Sequence, residues 1–478
     1  MAVLDSLKPE NVFRHFEEIT RIPHGSYNLE GIRDYLIAFA KKNNLEFAAD
    51  SSGNIIIKKP AFPGYEELPG VILQGHMDMV AVCEEGSGID MKTTPLELFT
   101  DGDLIGAKHT SLGGDNGIAV AMTMAILEAD DIPHPALEVI ITANEETGME
   151  GASGLDIRDI KFRRLINLDS EDEGVFTVGC AGGARVSCFL GSGTDLPPGH
   201  KEYEISITGL SGGHSGQMIH LGRANAIKVM GEMLSVVPDS VITDIKGGNA
   251  DNAIPSWCSV TVSVPESRVR EILDAVTSEG NKLRECYRET DPDFEYTVAS
   301  SAGTSGAFSM STNRASEFLK ALPNGVIAMS GDIEGLVQTS LNLGMIDIKG
   351  GKLHAEFSVR SSITSERDDL IESLKKITAS FGGTNEVTGV YPGWKYAPES
   401  PLRDKMVRVF KEMYGYAPKV EAIHAGLECG FFMDKAPEID AVSIGPDMQD
   451  IHSPAERLSI SSAQRTYDYL LKVLADKE

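Results

Sequence analysis

Apolar side chains recur every three or four positions near the start of the chain: Val12, Phe13, Phe16 and Ile19, then Ile32, Tyr35, Leu36 and Phe39. That spacing predicts amphipathic helix over residues 9–45, broken by a loop at Arg21-Ile22-Pro23-His24-Gly25-Ser26. Short, mainly apolar runs follow at 54–58, 71–74, 137–142 and 164–168, as expected of buried strands. A helix rich in Ala and Met is expected over 118–128. Beyond Gly182-Gly183 the texture changes to alternating strands at 203–208, 259–264, 344–349 and 352–360, with helices at 223–236, 266–289 and 365–381. After Trp394 the first texture returns: helix 401–414, strand 419–423, helix 428–433, strand 440–444 and helix 461–475.

The expected fold class is therefore α/β. A catalytic domain with a mixed central sheet flanked by helices comes from residues 1–183 and 393–478. An α+β lid domain, 184–392, is inserted between. Strand pairs plus helices recur twice in the insert, the pattern of an internal duplication.

The strands of the first segment end in chemistry. The run at 71–74 delivers His76 and Asp78, the run at 137–142 delivers Glu145 and Glu146, and the run at 164–168 delivers Asp169. In open α/β sheets ligands collect at the carboxyl ends of strands. Taken alone, His76 is equally a histidine capping a strand beside an unrelated carboxylate. Asp115, among the glycines of 113–117, is equally an N-cap of the following helix. The repetition decides: with His452, the set holds two imidazoles, several carboxylates and no thiol. Such donors suit two divalent ions, zinc most naturally, with cobalt or manganese next. A pair of ions about 3.5–4 Å apart needs a bridging ligand, and the water it activates needs a base that binds no metal. Glu145 and Glu146 can supply one residue for each task, and spacing does not say which.

Composition narrows the partners. Forty-three basic against seventy-one acidic residues give a net charge of −28, which argues against nucleic acid and anionic membrane. No apolar segment approaches the roughly 20 residues that span a bilayer, and the opening residues read as a loop entering a helix rather than a cleavable leader. Six cysteines without paired spacing suit reduced thiols in a cytoplasm.

The segments GHMD (75–78), GGDNG (113–117), NEETG (144–148), LDSED (168–172), GGHSG (212–216) and IHSP (451–454) occur in one order along nearly the whole chain. In these the sequence resembles the co-catalytic zinc peptidases, a family of aminoacylases, glutamate-releasing carboxypeptidases, desuccinylases and dipeptidases. LDSEDEG, GLSGGHSG and HAGLECG point to its branch that cleaves aminoacyl-histidine dipeptides. The resemblance implies that Asp115 bridges two ions, with His76 and Asp169 completing one site and Glu146 and His452 the other. It implies that Asp78 clamps His76, that Glu145 is the general base and that His214 stabilises an oxyanion. Asn252, Arg360 and Gly426 would grip the substrate's carboxylate. By themselves these last three are ordinary rim or turn residues, and His214 is an ordinary turn residue. The other histidines, His424 included, carry no assigned role. The implied activity is hydrolysis of unblocked dipeptides, Xaa-His preferred, in a cytoplasmic homodimer. Deacylation of N-acyl amino acids by the same metal residues is the alternative, and a non-catalytic binding protein on this scaffold is a third reading.

Overall fold

The computed structural model describes residues 3–193, 198–301 and 308–477. The chain divides into two compact units: Met1–Cys180, Tyr396–Ala422 and Leu427–Glu478 form the first, Ala181–Lys395 and Ile423–Gly426 the second. The short return of Ile423–Gly426 to the second unit is a feature that the periodicity of the sequence does not announce.

The first unit is built on an eight-stranded sheet. From edge to edge its strands are Glu46–Ala49, Ile55–Lys59, Leu137–Thr142, Val71–His76, Arg164–Asn167, Asp440–Ser443, Val175–Cys180 and Lys419–Ile423. The four from Leu137–Thr142 to Asp440–Ser443 are parallel, so their carboxyl ends share one edge. Ile55–Lys59 and Val175–Cys180 join them antiparallel. Every residue of Val71–His76 and Leu137–Thr142 is buried, which is why both read as mainly apolar rather than alternating, with Gln74, Glu138 and Thr142 as buried polar exceptions.

The helix Gly114–Glu128 packs on Val71–His76 and on the helix Glu10–Thr20. It is buried on nearly every side, so its sequence shows no polar stripe. A Cβ at Gly75 would lie 2.3 Å from Asn116 Oδ1 and 3.1 Å from Ala119 Cβ. Glycine there lets the start of this helix approach the strand closely. A second, four-stranded sheet runs Met448–Gln449, Arg457–Ser459, Leu104–Ala107 and Leu98–Asp101. Its first two strands are an antiparallel pair, and the connection between them carries His452.

The second unit is α+β. Its sheet runs Glu295–Ser300, His200–Thr208, Cys258–Pro265, Val241–Gly247, Val337–Lys349, Lys352–Ser361, Gly182–Gly191 and Thr384–Tyr391, with Met310–Ser311 and Gly325–Met329 pairing beside it. The helices Ala226–Ser235, Val269–Cys286, Thr312–Ala321 and Thr364–Ser380 accompany it. Val186, Leu190, Ile205, Ile227, Met230, Phe318, Leu341 and Phe357 are among the side chains that fill its core. The strand expected at 344–349 begins earlier, at Val337, because Gly344 sits at a bulge opposite Phe357 and Glu356 rather than at the strand's start.

Candidate metal centre

Asp115 does not act as an N-cap. Gly113 occupies that position with φ 66°, no side chain caps the helix, and Asp115 itself leaves the helical region with φ −81° and ψ 104°. This turns its carboxylate outward from the helix start. The loop is held from outside the segment: Glu456, 2% exposed, accepts backbone N–H bonds from Leu112 (2.7 Å), Gly113 (3.1 Å), Gly114 (2.8 Å) and Asp115 (3.4 Å). Asn116 ties the same turn to the sheet, donating to Leu168 O at 2.9 Å and accepting from His76 N at 3.2 Å.

So held, Asp115 meets an imidazole on each oxygen. His76 Nε2 lies 3.1 Å from Oδ1, and His452 Nε2 lies 3.1 Å from Oδ2. His76 Nε2 is also 3.2 Å from Asp169 Oδ1, and His452 Nε2 is 3.0 Å from Glu146 Oε2. The five side chains thus form two sets joined through one carboxylate. Ligating atoms of His76, Asp115 and Glu146 fall within 4.8 Å of one another.

Asp78 takes a more specific place than its sequence suggests. Its carboxylate accepts from the backbone N–H of Glu145 (2.9 Å) and Glu146 (3.3 Å) and from Ser26 Oγ (2.8 Å). His76 Nδ1 is nearer to the Asp78 carbonyl oxygen (3.0 Å) than to its carboxylate (3.6 Å). Asp78 therefore fixes the turn bearing the two glutamates as well as the ring.

The electrostatics follow from crowding acids against imidazoles. Burial opposes charge on His76, but Asp169, Asp115 and Asp78 outweigh it and hold its pKa well above the ordinary value. Hydrogen bonds to Asp115 and Glu146 push His452 up to about 10. Burial raises Asp169 to about 7 and lifts Glu145 well above the ordinary carboxylate range. Converging negative charge with neutralisable imidazoles and no thiol matches what hard to borderline divalent cations require. The residues therefore fit a metal pair by donor type and by the two-sided Asp115 carboxylate.

The second unit gathers its own polar cluster. Gly213–His214 pairs with Ala253–Ile254, and Ser215 N donates to Asn252 O at 2.8 Å. A Cβ on Gly216 would lie 2.8 Å from His424 O and 2.9 Å from His214 Cε1. Burial first, and then the Arg360 charge, lower the pKa of His214 and bring His424 down to about 4. Arg360 Nη1 donates to Tyr391 OH at 3.4 Å, while Arg360 Nε and His214 Nδ1 are buried without a partner among the described residues. Gly426 ends the segment whose Ala425 O accepts from Ala181 N at 3.0 Å. His424, given no role by the sequence, hydrogen-bonds Ser340 Oγ through Nε2 at 2.7 Å and so docks that segment on the strand Val337–Lys349.

Carboxylates at the ends of parallel strands, with His76, His452 and Asp115 converging on them and a base candidate beside them, define the metal centre of a metal-dependent hydrolase, and likeness to known proteins makes it a peptidase. The profile of the peptidase family M20/M25/M40 matches residues 72–476, and the chain belongs to that family. It is 34% identical over 481 residues to the cytosol non-specific dipeptidase of Escherichia coli (strain K12), covering 100% of this chain and 99% of the relative. The crystal structure of aminoacylhistidine dipeptidase from Vibrio alginolyticus matches with TM-score 0.91 and 35% identity, covering 98% of this chain and 97% of that one. The aminopeptidase PepT of Bacillus cereus shares the fold at TM-score 0.56 and 16% identity, covering 98% of each chain.

Proposed function

We propose that this chain is a cytoplasmic, homodimeric dipeptidase that hydrolyses unblocked dipeptides, Xaa-His preferred, at a pair of divalent ions, zinc most naturally and cobalt or manganese next. The observation that carries the hydrolytic reading is the Asp115 carboxylate, which offers one oxygen to each imidazole at 3.1 Å. The substrate class rests on likeness along the whole chain to the two dipeptidases.

In this reading Asp115 bridges, His76 and Asp169 hold one ion, and Glu146 and His452 hold the other. The ions, when bound, supply an acidified water and a Lewis acid for the peptide carbonyl. Glu145 takes a proton on its carboxylate and returns it to the leaving amine. Its partial desolvation suits the task, because a raised pKa brings a carboxylate nearer to the proton it must carry. Asp78 positions both His76 and the Glu145 backbone. For His214, held neutral by burial and by Arg360, we propose an N–H donated to the developing oxyanion. The planar Arg360 fork, with Asn252 and the Gly426 turn, suits a carboxylate.

The test is release of free histidine from a small unblocked Xaa-His dipeptide, measured before chelation, after it, and after add-back of zinc, cobalt or manganese. Release that vanishes with the chelator and returns with metal is expected. No release with any metal overturns the Xaa-His assignment, and hydrolysis of N-acyl amino acids instead would make the enzyme a deacylase.

A further inference from the structure

One layer beneath the proposed ligands, a row of polar side chains crosses the four parallel strands. Thr142, Gln74, Asn167 and Ser443 are each 0% exposed. Gln74 stands opposite Asn167 in register, and Asn167 opposite Ser443. Asn167 Nδ2 donates to Gln74 Oε1 at 2.6 Å, and Ser443 Oγ donates to Asn167 Oδ1. Asn167 Oδ1 also accepts from Asp169 N at 3.2 Å. Gln74 lies two residues before His76, on the same face of its strand.

The row ends on an acid. Glu428, also 0% exposed, accepts through Oε2 from Gln74 Nε2 and from Thr142 Oγ1, each at 2.6 Å. Its Oε1 has no hydrogen-bond partner among the described residues. Burial pushes the carboxyl up to about 7; the His76 charge works against this, while Asp169 and Asp78 add to it. A fully buried ionisable group is costly unless something compensates it. A glutamine carbonyl could accept the same two hydrogen bonds, so the hydrogen-bond pattern alone does not call for an acid. What glutamate adds is charge, placed among the acids Asp78, Asp169 and Glu145. Strong positive charge nearby makes the ionised form favourable; without it the carboxyl holds its proton.

We propose that Glu428 is a positioning carboxylate of the metal centre: its buried charge strengthens cation binding at His76 and Asp169, and the Gln74–Asn167 amide row fixes the strand ends that carry them. The inference rests on the assignment of those two residues as ligands. Removing a partner of this kind behind a metal ligand lowers affinity about 10- to 100-fold.

The test compares Glu428→Gln with wild type by zinc competition against a chromophoric chelator and by the Tm of the metal-free protein. At least about tenfold weaker zinc binding is expected, with a metal-free Tm equal to or above that of wild type, because the variant removes repulsion and keeps the hydrogen bonds. Thr142→Val, which deletes one hydrogen bond and keeps the charge, should lower the metal-free Tm while leaving zinc affinity within about twofold. Unchanged affinity in Glu428→Gln overturns the proposal, as does a lowered metal-free Tm with affinity lost equally in both variants. His76→Ala separates the two failures. If it too leaves zinc affinity unchanged, the ligand assignment falls; if it abolishes binding while Glu428→Gln does nothing, only the role of Glu428 falls.

Discussion

Two adjacent glutamates end up in different surroundings because the backbone between them is pinned. Asp78 accepts from both of their N–H groups, and the side chains then diverge. Glu146 reaches His452 at 3.0 Å, whereas Glu145 is half-buried and its desolvation raises its carboxyl well above the ordinary carboxylate range. If Glu145 is the base, Glu145→Ala should lower kcat by at least about 10² to 10⁴. Metal content, measured by elemental analysis, should stay at the wild-type level. A variant with near-normal turnover would assign the base elsewhere, and one that loses metal would make Glu145 a ligand.

At the scale of elements, the loop 112–115 depends on a residue more than 340 positions away in sequence: Glu456 caps its four N–H groups. Glu456→Ala leaves those donors unpaired in a buried site, so the metal-free protein should lose roughly 1–3 kcal/mol by denaturant unfolding. Zinc should also bind more weakly, because Asp115 is no longer held. Unchanged stability would show that the loop is held by Asn116 alone. The strand-end candidates are legible in the sequence because an apolar run that stops abruptly on His or Asp is conspicuous, and it recurs in adjacent parallel strands. Glu456 and Glu428 are not legible in this way. A buried acid has the same letter as an exposed one, and only the fold shows that backbone donors or an amide row surround it. His424 likewise reads as any other histidine until Ser340 is seen against it at 2.7 Å. Among the elements, the Ala- and Met-rich helix was readable by composition, but its distorted first turn was not. That turn arises from contacts with Glu456 and with the strand at Gly75, distant in sequence. Gly344 hides half of a long strand in the same way, since a glycine at a bulge looks locally like a strand's beginning.

For the molecule as a whole, the proposed dimer has a candidate surface. The strand Gly325–Met329 pairs, among the described residues, with Val337–Lys349 alone, and Val326, Ile327 and Met329 are exposed on it at 36%, 48% and 48%. An apolar edge strand invites a further strand beside it. Sedimentation of the wild-type protein at micromolar concentration should give a dimer, and Ile327→Glu should shift it toward monomer. A wild-type protein that sediments as a monomer throughout would remove the homodimer from the proposed function. Among the described residues no helix is long and apolar enough to cross a membrane.

The spacing of Asp115 and His452, 337 positions apart along the chain, has a consequence for biosynthesis. A ribosome that has already made His76, Asp115, Glu146 and Asp169 must still translate the entire second unit before His452 emerges. Until then the nascent chain lacks both the second imidazole on Asp115 and the Glu456 cap on its loop. With the proposed ligands, prematurely terminated products should show no peptidase activity. The order of residues along the chain would then keep a half-made peptidase from acting on the peptides around it.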